Sequence, residues 1–163
     1  MVYCKRRVSL ALSAILIVIS MLAGCAGGAE NAPQKAPPAE DIAQAIITSC
    51  SFDEMIKIED SVLYNQYGDL DESILVDSAV YTSTLVLADE VCVLRVKNEE
   101  DIKAVLAAID TRLGELTDKF TGYREEELPK VKNALIETRG TYILMTTTPD
   151  GEVAAKEFKA MLE

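Results

Sequence analysis

The opening of the chain limits what the rest can fold into. Met1 to Arg7 carries Lys5, Arg6 and Arg7, and Val8 to Ala23 is then an uncharged run broken only by Ser9, Ser13 and Ser20. A basic stretch followed by an apolar one is the order of an export signal. The run of 16 residues is shorter than the roughly 17–25 that a membrane-spanning helix needs. It ends in small residues rather than in a charged stop-transfer cluster. Residues 1–24 are therefore expected to be a cleaved signal peptide, and the fold must be built from the 139 residues that remain.

The run closes on Leu22-Ala23-Gly24-Cys25, which resembles the lipobox of bacterial lipoproteins. The resemblance implies that the Cys25 thiol receives diacylglycerol and that cleavage follows between Gly24 and Cys25. Small side chains at Ala23 and Gly24 suit a narrow peptidase cleft, and a thiol is what a thioether requires. Two acyl chains hold a protein stably where one does not, at about 0.8 kcal/mol per buried methylene. The expected location is the extracytoplasmic side of the cell membrane, lipid-anchored.

Removal of the signal takes away three cations and leaves 13 basic against 27 acidic residues, a net charge of −14. Such a surface is repelled by nucleic-acid phosphates and by anionic headgroups, so no nucleic-acid partner is expected and membrane contact falls to the lipid alone. There is no histidine in the chain. That excludes Ser-His-Asp triads, Cys-His dyads, His-ligated zinc and HExxH chemistry, each of which needs an imidazole. The eight glycines form no phosphate loop, dinucleotide turn or nucleophile elbow. No catalytic, cofactor-binding or metal residue is assigned.

Residues 25–39 follow as lipidated cysteine and tether. Gly27, Gly28, Pro33, Pro37 and Pro38 stand among small and polar residues with no apolar period, and 14 flexible residues span about 20 Å. Residues 40–163 are read as one domain. Ile42, Ala43, Ile46, Ile47 and Cys50 have helical spacing. Asp60 is expected to cap a short helix, Ser61 to Tyr67, closed by Gly68. Ile74 to Leu87 and Val91 to Val96 are rich in β-branched and aromatic residues, so they predict an antiparallel hairpin joined through Ala88-Asp89-Glu90.

Asn98, followed by Glu99, Glu100 and Asp101, predicts a helix start. Ile102, Val105, Leu106, Ile109, Leu113, Leu116 and Phe120 then form one apolar stripe. A shorter helix is expected from Glu125 to Ala134. Leu135 to Thr147 reads as a third strand, Thr148-Pro149-Asp150-Gly151 as a turn, and Ala154, Phe158, Met161 and Leu162 as the stripe of a closing helix. The fold class is α+β, a small antiparallel sheet of about three strands covered by helices.

In this order of elements, in Ala88-Asp89-Glu90, in Asn98-Glu99-Glu100-Asp101 and in Arg139-Gly140-Thr141-Tyr142, the chain resembles lipoproteins carrying the domain of unknown function 4358, over roughly Glu40 to Leu162. The resemblance implies a membrane-anchored bacterial surface protein and supplies no activity or site.

Several residues are weighed as sites. Cys50 and Cys92 are the only thiols left in the exported domain once Cys25 is acylated. Each sits in an apolar context, so core packing is preferred over a disulfide. Asp69, Asp71 and Glu72 offer oxygen ligands, but Ile74 and Val80 stand where an EF-hand needs its glycine and bidentate glutamate, so a solvated loop is expected. Glu125-Glu126-Glu127 reads as a first helical turn complementing the dipole. Arg139 and Tyr142 are read as sheet residues beside Gly140, with a recognition pair as the competing reading.

The function expected is a non-catalytic binding or interaction module held outside the membrane, with an envelope protein as possible partner. The alternative is an envelope enzyme using carboxylate, tyrosine or lysine chemistry.

Overall fold

The computed structural model describes residues 36–68, 70–84 and 86–163. The basic and apolar run, Gly24, Cys25 and the expected tether as far as Lys35 lie outside the described residues. Ala36–Glu163 form one compact unit.

The chain enters through two hydrogen bonds. Pro37 O accepts from the Tyr142 hydroxyl at 2.6 Å, and the Ala39 N–H donates to Asp77 Oδ2 at 2.7 Å. Helix α1, Ala39–Ser49, then buries Ala39, Ile42, Ala43 and Ile46 on one side, which is the stripe that period 3.6 requires. A two-residue strand β1, Ile56–Lys57, precedes α2, Asp60–Gln66. Gly68, at φ +42°, stands where the chain leaves that helix.

A 3-10 turn at Glu72–Ile74 leads into β2, Leu75–Thr82, followed by β3, Glu90–Val96. Asp101 accepts from the Asn98 backbone N–H at 3.2 Å, closing the 3-10 turn that starts α3, Ile102–Phe120. A second 3-10 turn, Glu125–Glu127, opens α4, Leu128–Lys132, and β4, Leu135–Arg139, β5, Tyr142–Thr146, and α5, Gly151–Met161, complete the fold.

The five strands lie in the order β1-β2-β3-β5-β4, with every neighbour antiparallel. Helices cover both faces. Ala79, Tyr81, Val91, Val93, Tyr142 and Leu144 pack with α1 and α5, while Val80, Cys92, Leu94, Val96, Ile143 and Met145 pack with α2 and α3. This is why Val91 to Leu94 of β3 and Tyr142 to Met145 of β5 read as unbroken apolar runs. A strand buried on both sides loses the alternation that a half-exposed one keeps. Full burial of each Leu or Ile there contributes about 1.5–3 kcal/mol.

The α+β class holds, but the sheet has five strands rather than about three. Two causes account for the difference. β1 is too short to carry a period of two. Leu135 to Thr147 is not one strand but a hairpin: Gly140 adopts φ +54°, the chain reverses over Gly140-Thr141, and Arg139 pairs with Tyr142. A left-handed residue cannot continue a strand, and glycine occupies that region at little cost. β2 also ends at Thr82 instead of Leu87. Glu90 lies within β3, opposite Thr82, so the hairpin connection is 83–89 rather than Ala88-Asp89-Glu90.

Cys50 packs among the α1 and α5 residues and Cys92 under α2 and α3, on opposite faces of the sheet. Both thiols are free and buried.

Candidate functional site: the buried charges at one end of the sheet

Glu90 begins β3 on the side that continues as Cys92 and Leu94, so its side chain points under α2 and α3. It is 1 % exposed. A lone carboxylate at that depth is untenable without partners. Arg112 supplies the charge, because it stands three residues after Ile109 and four before Leu116, within the buried stripe of α3. The pair is forked. Arg112 Nη2 donates to Glu90 Oε2 at 2.7 Å, and Nε lies 3.2 Å from each oxygen. Tyr67, fully buried where α2 ends, donates its hydroxyl to Glu90 Oε1 at 2.5 Å.

A second charged group adjoins it. Asp89 is 4 % exposed and Glu127 5 %, and Lys130 Nζ reaches both, at 3.0 Å and 2.9 Å. Glu127 Oε2 also accepts from the Ala88 N–H at 2.9 Å. The Ala88 carbonyl accepts from the Thr147 hydroxyl, and the Glu90 carbonyl from the Thr147 N–H at 3.1 Å. Every residue of Ala88-Asp89-Glu90 is thus tied to a different element. Ala88 itself packs with Leu116, Phe120 and Val131, closing α3 against α4.

The electrostatics follow from burial and pairing. Burial pushes the Asp89 carboxyl above its ordinary value, against the pull of Lys130. Burial acts the same way on Glu127, but the Ala88 N–H and Lys130 outweigh it and the net direction is down. Lys130 and Arg112 are lowered by burial and raised more by their carboxylate partners, so both are held in the charged form. Burial pushes the Tyr67 phenol well up, aided by Cys92 and Glu90, and pushes the Cys92 thiol up. Tyr67 and Cys92 therefore stay protonated near neutral pH, and neither becomes a nucleophile there. A recess of about 60 Å³ opens beside the network, lined by Gln66, Ser83, Thr84, Glu90, Arg112 and Lys119.

The residues weighed as sites in the sequence lie elsewhere, with one exception. Glu125 and Glu126 are exposed, as a first turn should be, but Glu127 turns inward to Ala88 and Lys130 and belongs to the network. Asp71 accepts from the Ser73 N–H at 2.8 Å and Glu72 lies in the 3-10 turn. Among the described residues no group of three or more His, Cys, Asp or Glu could hold a metal ion.

Arg139 and Tyr142 are cross-strand partners with different surroundings. Tyr142 is 6 % exposed, and its hydroxyl binds Pro37 and receives a 3.2 Å hydrogen bond from Arg95, whose guanidinium lies 5.5 Å from the ring centre. Arg139 is exposed and reaches Glu163 at 3.6 Å. The sequence carried a signal for the network that the periodic reading passed over. Arg112 interrupts an apolar stripe, Glu90 heads an apolar strand, and two isolated opposite charges facing one core are complementary.

No helix among the described residues is long and apolar enough to cross a membrane. Comparison with curated proteins finds no match, and neither does comparison with solved structures. Residues 48–148 match the family model described as Domain of unknown function (DUF4358), a span that holds β1 to β5, α2 to α4 and the whole charged network. The match covers more than half of the chain, which therefore belongs to the DUF4358 family.

Proposed function

We propose that this protein is a membrane-anchored extracytoplasmic bacterial lipoprotein whose domain binds or docks rather than catalyses. The observation that carries the reading is the order of the first 25 residues: Lys5-Arg6-Arg7, the uncharged Val8 to Ala23, then Gly24 and Cys25. A proline- and glycine-bearing stretch before Ala39 supports it as a tether.

The non-catalytic part of the reading draws support from the charged network. Glu90 and Asp89 are each committed to a cation, and the neighbouring phenol and thiol stay neutral. Groups poised for nucleophilic work are tuned toward the working pH, whereas burial holds the Tyr67 phenol and the Cys92 thiol away from it.

The test is metabolic labelling with a fatty acid analogue, followed by fractionation of wild type and Cys25→Ser. Wild type should carry the label and sediment with membranes. The Cys25→Ser chain should lose the label and keep its unprocessed length. A variant cleaved at the same bond and retained like wild type would overturn the anchor.

A further inference from the structure

The sheet ends in two unequal edges. β1 offers two residues, Ile56 and Lys57, whereas β4 offers five, Leu135 to Arg139. Among the described residues no strand pairs with the outer side of β4. Its backbone is available there in a defined pattern. The Val96 N–H donates to Thr141 O at 2.9 Å, so alternate residues of β5 beginning at Thr141 bond toward β3, and Tyr142, Leu144 and Thr146 bond toward β4. Their partners Arg139, Glu137 and Leu135 spend their backbone groups inward. The N–H and C=O of Ile136 and Thr138 are left facing out, and Ile136 is 40 % exposed.

An outward row of this kind is a template for another strand. Antiparallel registers centred on Ile136, Glu137 or Thr138 would let a second β4 use it, since each brings outward residues opposite outward residues. Centred on Ile136, the pairing sets Glu137 against Leu135 and leaves Arg139 without a carboxylate. Centred on Glu137, the pairing sets two like carboxylates directly across from one another, which is destabilising. Centred on Thr138, it sets Thr138 against Thr138 of the second copy and Glu137 against Arg139 twice over, and ends where Gly140 turns the chain. The Glu137 and Arg139 pairs fall at non-hydrogen-bonded positions, where side chains approach most closely. Arg139 is free to take part, because its contact with Glu163 is exposed on both sides. The negative charge of the whole chain does not prevent the contact, since its field is screened within about 8 Å at physiological ionic strength.

We propose that β4 is a self-docking edge: two copies of this chain join antiparallel through Thr138, with reciprocal Glu137–Arg139 pairs selecting the register, to form a continuous ten-stranded sheet. The pairing needs only the folded domain and does not depend on the lipid anchor. Where an anchor confines both copies to one surface, it raises their effective concentration.

The experiment uses the full chain in whole cells of an expressing bacterium, treated with a short, membrane-permeant, thiol-reactive bismaleimide, so that the chain is read wherever it resides. Cys50 and Cys92 are buried, and the parent chain reports any crosslink through its other cysteines. Thr138→Cys should give a dimer-sized product several-fold above the parent and above Ile56→Cys, a control on the opposite sheet edge. In the Thr138→Cys background, Glu137→Lys and Arg139→Glu should each reduce that product several-fold, and the two together should restore it. A Thr138→Cys product no stronger than the controls, or crosslinks to other proteins only, would overturn the proposal. So would a doubly reversed chain that stays as low as the single reversals.

Discussion

Ala88-Asp89-Glu90 and Arg139-Gly140-Thr141-Tyr142 are both short charged motifs bordering a central strand, yet the fold treats them in opposite ways. At the first, both carboxylates are buried and each meets a cation held by another helix, Glu90 with Arg112 and Asp89 with Lys130. At the second, the cation is exposed at the sheet edge and the aromatic is turned into the core. The physical difference is solvent. A charge inside the protein must be neutralised locally, so it specifies its partner and with it the packing of an element. A charge outside is satisfied by water and remains available for exchange.

The largest consequence falls on Glu90. Glu90→Ala strands Arg112 beneath α2 and α3, and loss of one member of a buried pair costs about 3–5 kcal/mol. Urea denaturation of the variant should show a loss of that size. Arg112→Leu combined with Glu90→Leu should recover much of it, since an apolar replacement leaves no orphaned charge. Equal losses for the single and double variants would show that packing, and not charge, accounts for the site.

Tyr67→Phe removes one donor from Glu90 while keeping the ring, at a cost of about 1–3 kcal/mol for an unsatisfied buried acceptor. A loss well under that range would mean that Arg112 alone satisfies the carboxylate. At the other motif, Gly140→Ala must place a Cβ at φ +54°, with a penalty of about 1–2 kcal/mol. Since nothing lies within 4 Å of a Cβ built there, the whole effect should be conformational, and Gly140→Asn should recover part of it.

The pH dependence has opposing parts. Glu127 is lowered in the folded state, so its contribution is present above its ordinary value of 4.5 and is lost as pH falls through its folded value. Asp89 is raised, so its burial opposes folding when ionised, and that opposition is relieved as pH falls through its raised value. Thermal unfolding of wild type and Glu127→Gln should therefore differ most near neutral pH and converge below about pH 4.5. A gap independent of pH would show that Glu127 acts by shape alone. The smallest effect belongs to Arg139→Ala. Its exposed contact with Glu163 is worth no more than about 1 kcal/mol, so denaturation midpoints should barely move. A large loss there would erase the contrast between the two motifs.

Much of the architecture was legible because local chemistry and tertiary role agree. The Asn98 start, the Ile102 to Phe120 stripe, the antiparallel pairing of the segments around Val80 and Val93, and the helix ending near Met161 all follow from periodicity and capping. The strand from Leu135 was misread because apolar residues on both sides of Gly140 look continuous when the sign of φ is unknown. β1 was missed because two residues carry no period. The charged network was missed for a different reason. Asp89 and Glu90 look like a polar turn when only their neighbours in the chain are counted.

The sequence by itself determined the basic and then apolar order of its first residues, the lack of histidine, the helical stripes and the membership of an α+β class. Those depend on composition and on spacing over a few residues. Only the tertiary structure decided that both faces of the sheet are covered, that Cys50 and Cys92 lie on opposite sides of it, and that Glu90 finds Arg112. Each of those facts joins residues far apart in the chain. Which of many acids meets which of many bases is set by the geometry in which burial makes an unpaired charge too costly to keep.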